Sequence, residues 1–178
     1  MRISEASEFA TELEEFQPMD SFATYSTISF PISGATLSKV HSLWKNATLS
    51  VASRHPNLTS VLTFQSIPPP PAANGPQNSL PFTPTSTPHN NVVLTLFSFY
   101  WPQEVDSKEI KLAARRLTDS AQLSAGSETK YQYLNYASAW QDPIGSYGTV
   151  AKEELRQVAK LYDPTGFFQQ SVTGGFKL

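Results

Sequence analysis

Tyr131 to Ser138 reads YQYLNYAS. In an extended chain, alternation places Tyr131, Tyr133 and Asn135 on one face and Gln132, Leu134 and Tyr136 on the other. A phenol beside a carboxamide can orient a flat polar ring, or take a proton from a substrate hydroxyl. An aromatic strand packed on a helix uses the same residue types, and residue types alone favour that plainer reading. GSYG, Gly145 to Gly148, is a two-glycine loop that says little by itself. His41, His55 and His89 show no spacing that suits a metal. The chain holds no GxSxG, P-loop or GxGxxG pattern. With no cysteine, disulfide and thiolate chemistry are excluded.

The elements that must carry these residues follow from periodicity. Ile3, Phe9, Leu13 and Phe16 lie near helical spacing, and Pro18 ends that helix. Ser21 to Ile32 alternates and is rich in aromatics and threonine, which predicts a strand. Leu37, Val40, Leu43, Trp44, Ala47 and Val51 form the apolar stripe of a helix stopped before Pro56. Leu58 to Ile67 is a second strand. Pro68 to Asn90 holds eight prolines and is neither helix nor inner strand but a long loop. Asn91 to Trp101 is the strongest strand. The helix after Glu104 turns Val105, Ile110, Leu112 (less well placed), Ala113, Leu117 and Ala121 inward, with Gly126 beyond its end. YQYLNYAS supplies a fourth strand, and Ala151 to Tyr162 a last helix, broken by Asp163-Pro164.

The predicted class is α+β: an antiparallel sheet of four strands with helices on one face, in the split βαβ order of a ferredoxin-like sandwich. A C-terminal helix and extended tail are added to it. Residues 1–20 read as an N-terminal helix and linker, and 21–140 as the sandwich with its proline-rich loop at 68–90. Residues 141–178 form the C-terminal loop, helix and tail. The sheet face away from the helices carries many rings and needs its own cover.

Composition narrows the partners. The net charge is −2 and no lysine- or arginine-rich run exists, so nucleic-acid binding lacks its usual electrostatic term. No apolar run approaches the roughly 18 residues of a membrane span. The N-terminus, MRISEASEFATELEEF, has no apolar signal core, which makes the cytoplasm the default compartment. Two sequons begin at Asn46 and Asn57. Trp140, Tyr147, Tyr162, Phe167, Phe168 and Phe176 are more rings than a small sandwich buries, so a partner surface is expected.

The stretch YLNYASAWQDPIGSYGTVAKEELRQVAKLYDPTGFFQQSVTGGFKL resembles the C-terminal signature of FAD-linked oxidases related to berberine bridge enzyme, especially their fungal secondary-metabolism branch. The residues that carry the resemblance are Tyr133-Leu134-Asn135-Tyr136, Asp142-Pro143-Ile144, and Ser146-Tyr147-Gly148. Tyr162-Asp163-Pro164, Gly166, Phe168-Gln169 and Gly174-Gly175-Phe176-Lys177 complete it. A looser likeness to the family's substrate domain reaches back to about residue 16, while nothing matches the family's FAD-binding domain.

The resemblance implies FAD as cofactor and a small organic substrate. Tyr133, Asn135 and Tyr136 become candidates for the face that roofs the flavin and substrate. Tyr147 and Gly148 become candidates beside the cofactor. It also implies that the last helix and tail pack on a flavin domain, which makes a separate flavin-domain chain, or self-association, the expected partner. The alternatives are a flavin-free binder or cyclase derived from that domain, and an inactive truncated product. Having no glycine-rich phosphate loop or basic cluster, the isolated chain is expected not to bind FAD tightly. A titration giving submicromolar affinity would overturn this.

Overall fold

The computed structural model describes residues 20–67, 91–126 and 131–178, together with Glu5, Ser7, Glu8 and Thr11. Most of the expected first helix and the whole proline-rich loop lie outside the described residues. The order is β1 (Phe22–Pro31), α1 (Gly34–Ala52), β2 (Thr59–Ile67), β3 (Val92–Trp101), α2 (Ser107–Ala125), α3 (Thr149–Tyr162) and α4 (Phe167–Gln170), with short 3-10 turns between.

The sheet runs β1-β3-β2, and β3 is antiparallel to both neighbours. β1 and β2 are therefore parallel with β3 between them, which is the split βαβ arrangement. Register pairs Ser26 with Phe97 and Ile28 with Thr95 on one side of β3, and Leu62 with Phe97 on the other. These residues face the helices. The core joins Ile28, Phe30, Val93, Phe97, Phe99 and Trp101 of the sheet to Val40 and Val51 of α1 and Ile110, Ala114, Leu117 and Ala121 of α2. Several polar groups that enter this layer are paired, while the Thr95 hydroxyl, also buried, has no hydrogen-bond partner among the described residues. Ser26 and Thr118 share a 2.7 Å hydrogen bond, Trp101 Nε1 donates to Ser107 Oγ at 2.9 Å, and Trp44 Nε1 to Ser60 Oγ at 2.9 Å.

The helix ends have separate fastenings. Ser33 caps α1 by accepting the Thr36 N–H. Where α1 ends, Arg54 Nε donates to Glu109 Oε1 of α2 at 2.6 Å, and His55 reaches Glu109 and Asp106 at 3.1 and 3.3 Å. The Arg54 bond, then the His55 bond, holds the Glu109 carboxyl below its ordinary range. Glu109 is open to water, so the cluster orients the two helices more than it stabilises them.

Three expectations are corrected. Residues 131–138 are not a strand: Leu134–Tyr136 is a 3-10 turn. On the β1 edge that a fourth strand would use, the Thr27 backbone bonds the Gln141 side chain, and beside it the Ser29 hydroxyl donates to the Tyr131 carbonyl. Val105 is not inward but 82% exposed, and Leu112 of the same predicted stripe is exposed as well. Val105 lies in the 3-10 turn Glu104–Asp106, before the helix begins at Ser107, so it is not part of that helix's apolar stripe. The tail is not extended: Lys177 Nζ donates to the carbonyls of Phe168 and Val172, folding it back onto α4.

Phe97 has no exposed surface. Phe97→Ala should cost about 3–5 kcal/mol through a cavity, whereas Val105→Ala should stay within about 0.5 kcal/mol. Chemical denaturation checks both, and similar losses would show that the core is not where this register puts it.

Candidate functional site

The face of the sheet turned away from α1 and α2 carries Tyr25, Thr27 and Ser29 of β1, Leu96, Ser98 and Tyr100 of β3, and Val61, Thr63 and Gln65 of β2. Tyr25 Oη donates to Tyr100 Oη at 3.3 Å, the two rings meeting edge to face. The segment from Tyr131 to Gln141 lies along the open edge of β1 and leans over this face. Its Tyr136 reaches as far as β2, where Gln65 Nε2 donates to Tyr136 Oη at 3.4 Å. That bond is long and contributes orientation more than energy.

The 3-10 turn brings Tyr133, Asn135 and Tyr136 together. Side chains at i and i+3 eclipse in such a turn. Tyr133 and Tyr136 accordingly meet edge to face with centroids 4.9 Å apart. Asn135 Nδ2 donates to Tyr133 Oη at 3.0 Å. That bond occupies a lone pair on the phenol oxygen and leaves the phenol's own proton able to donate elsewhere. The three residues that strand alternation divides between two faces thus form one cluster. The agent is the turn, and nothing in the residue types announces it.

The following loop fastens the cluster from behind. Tyr147 stacks on Tyr131 at 5.9 Å. Asp142 Oδ1 accepts the Gly145 N–H at 2.8 Å, and a β-carbon on Gly145 would overlap that carboxylate. Ser146 Oγ donates to the Pro143 carbonyl and accepts the Gln132 N–H at 3.0 Å. Gly148, with φ +89°, ends the turn and opens α3. Gln65 and Gln141 escaped the reading of the sequence, because a glutamine in a strand or before Asp-Pro has no signature of its own.

Burial sorts the phenols by role. It pushes Tyr131 up to about 12, helped by Tyr147 and Tyr133. Burial likewise raises Tyr147, with Tyr133 adding to it. Tyr25 is pushed up to about 12 by burial and then by its bond with Tyr100. At ordinary pH these three are neutral donors and ring surfaces. Tyr133 and Tyr136, on the half-buried turn, are the phenols of this segment with surface open to a ligand.

Other features are less suggestive. A groove of about 360 Å³ runs between α1 and α2, lined by Leu43, Ala47, Leu112 and Arg116 among others. It lies on the opposite side of the sheet from the tyrosines. No group of three or more His, Asp or Glu among the described residues could hold a metal. No helix among them is long and apolar enough to cross a membrane.

The chain has curated relatives. It is 39% identical to an FAD-dependent monooxygenase of Aspergillus calidoustus over 89 residues, which is 48% of this chain and 17% of that protein. It is 37% identical to an FAD-dependent monooxygenase of Emericella nidulans over 91 residues, 49% of this chain and 19% of that one. A bifunctional solanapyrone synthase of Alternaria solani is 35% identical over 75 residues, 42% of this chain and 15% of the synthase. The matches thus span less than a fifth of the length of these relatives. Over about half of its own length, the chain is related to fungal FAD-linked oxidoreductases. No protein-family profile matches it, and no solved structure does.

Tyr25 and Tyr131 should ionise near 12, beyond the ordinary phenol value of about 10. Between those values the unfolded chain has released protons that the folded chain still holds, so stability is full below about 10 and falls as pH rises toward 12. Ultraviolet titration of the seven tyrosines follows the phenolate band. A single transition near 10 while the chain is still folded would contradict the burial of these two rings.

Proposed function

We propose that the chain is the substrate-binding portion of an FAD-linked oxidoreductase of the berberine bridge enzyme-like kind, oxidising a small organic molecule in fungal secondary metabolism. The observation that carries the reading is the Tyr133–Asn135–Tyr136 cluster, leaning over an open sheet face in a chain whose relatives are named FAD-dependent monooxygenases. The name of the Alternaria relative, a synthase of solanapyrone, supports the metabolic setting.

The residues present fit the ring end of the cofactor and not its phosphate end. Two phenols and a carboxamide offer a flat surface with outward-facing polar atoms, suited to a planar heteroaromatic ring and a substrate laid on it. Among the described residues there is no glycine-rich turn or cluster of cations for a pyrophosphate. FAD, when bound, accepts two electrons from a substrate carbon as a hydride equivalent. In this reading Tyr133, oriented by Asn135, donates to the substrate's oxygen as the neutral phenol, or accepts its hydroxyl proton once it has itself become phenolate, and Tyr136 walls the same space. Tyr147 and Gly148 sit behind them and shape the edge nearest the cofactor.

The C-terminal segment supports docking on another surface. Asp163 accepts the N–H groups of Phe167 and Phe168 at 2.8 and 2.9 Å, and Gln169 Oε1 accepts the Leu178 N–H at 3.0 Å. With Gly166 at φ +70° and the Lys177 bonds, α4 becomes a self-fastened knob. It presents Phe167 and Phe168 54% and 62% exposed, beside Leu161 and Tyr162 of α3. Ordering local backbone in order to expose rings has little use in an isolated domain. We assign this face to the flavin-bearing part of the oxidoreductase, and residues 141–178 to the segment that packs on it.

Reconstitution tests the reading. The chain is mixed with the Aspergillus relative, expressed without its matched stretch and loaded with FAD. Yellow absorbance should comigrate with the chain, and Phe167→Ser with Phe168→Ser should abolish this while leaving the chain's melting temperature unchanged. Alone, the chain should self-associate with rising concentration, and the double variant should not. If removing residues 167–178 unfolds the chain, the knob is internal structure and the docking assignment fails.

A further inference from the structure

We propose that Gln141 is the positioning residue that stands in for the missing fourth strand and holds the Tyr133–Tyr136 turn over the sheet. Among the described residues β1 has β3 on one side only, so its other edge offers backbone N–H and C=O groups outside the ladder. In an antiparallel ladder, one residue exchanges both bonds with its opposite number. Thr27 makes that exchange with a side chain. Its N–H donates to Gln141 Oε1 at 3.0 Å, and its carbonyl accepts from Gln141 Nε2 at 2.7 Å. The second lone pair of Oε1 accepts the Ser138 N–H at 3.1 Å. The carboxamide therefore acts as a detached peptide group, docked on the strand at one end and on its own loop at the other.

Two residues along β1, Ser29 Oγ donates to the Tyr131 carbonyl. The two attachments bracket residues 131–141, and the turn carrying Tyr133, Asn135 and Tyr136 is slung between them. Glutamine alone meets the demand. Glutamate offers two acceptors and faces the Thr27 carbonyl with a charge, leucine offers nothing, and asparagine is one methylene short. The core centres on the opposite face of the sheet, around Phe97 and Ile28, and of this loop Trp140 packs against it. Freeing the loop should consequently move the tyrosines without dismantling the fold. The consequence for substrate binding rests on the function proposed above; the attachment itself does not.

The test uses the 178-residue chain, read by amide hydrogen exchange and by the NMR contact between the Gln65 side chain and the Tyr136 ring. In Gln141→Leu the Thr27 amide should exchange roughly 10- to 100-fold faster, the Gln65–Tyr136 contact should vanish, and the β3 amides should keep their protection. Gln141→Glu adds a readout that packing alone does not move. Below the carboxyl range its neutral acid regains a donor for the Thr27 carbonyl, so contact and protection should return; above it they should be lost. Asp142, the neighbouring carboxylate, is engaged with Gly145, and wild type at both pH values controls for its titration. Unchanged Thr27 protection and an intact contact in Gln141→Leu would overturn the proposal. So would a Gln141→Glu chain that behaves alike at both pH values, a comparison that stands even if the leucine variant fails to fold. Neither readout involves substrate or flavin, so a failure of the oxidoreductase reading would show separately, in the reconstitution.

Discussion

β3 is hydrogen-bonded on both sides, and that constraint sets everything around it. A strand between two partners cannot slip by one residue without turning its whole apolar set to the other face. Val93, Phe97, Phe99 and Trp101 therefore point to one side, where α1 and α2 bury them. Ser98 and Tyr100 must then point to the other, and the strands on either side add Tyr25, Thr27 and Gln65 there. Two helices have only enough width for one face. The second face, part phenol and part hydroxyl, is left to the loops that follow α2. The site and the core thus arise from the same alternation, read on opposite sides of one strand.

Much of this architecture was legible in the sequence, because period-two and period-3.6 patterns report burial and burial decides these elements. The strands at 21–32, 58–67 and 91–101 lie within two residues of those observed, and so do both ends of α3. The reading failed where the deciding partner was remote. YQYLNYAS has a strand's composition, but its neighbour on β1 is engaged by Gln141, and no local pattern in residues 131–138 reveals that. Val105 was misjudged for a smaller reason: an apolar residue before the first full turn was counted into the stripe of a helix that had not begun. The cluster of Tyr133, Asn135 and Tyr136 was legible as a set of residues with suitable chemistry. Its geometry was not, since alternation separates what the turn joins.

The C-terminal residues illustrate a different kind of legibility. Asp163, Gly166, Gln169, Gly174, Gly175 and Lys177 all belong to the stretch whose wording resembles the oxidase signature, and each has a local structural task. Asp163 and Lys177 bond the two ends of α4, while Gly166, Gly174 and Gly175 take the positive φ values of +70°, +78° and +69° that side chains disfavour. Gln169 binds the last backbone N–H. None of these contacts reaches the sheet. The signature's wording here describes a way of holding two phenylalanines outward, and chemistry enters only through what they touch.

That separation bears on how the two halves of the C-terminal region work together. The tyrosine turn is tied to the sheet through Thr27, Ser29 and Gln65, and the knob is tied to itself. Between them stand the loop closed by Asp142 and Ser146, and α3, none of whose residues is fully buried. The helix is half-buried at Ala151, Lys152, Leu155 and Ala159, and runs from Gly148 at its start to Asp163 at its finish. Docking of Phe167 and Phe168 on a second surface would fix α3, and through Gly148 would fix Tyr147, which stacks on Tyr131 beside the candidate site. The order of assembly follows from the relative strength of these attachments. On the proposed docking, the sheet would place the phenols first and the docked helix would then close the space beside them.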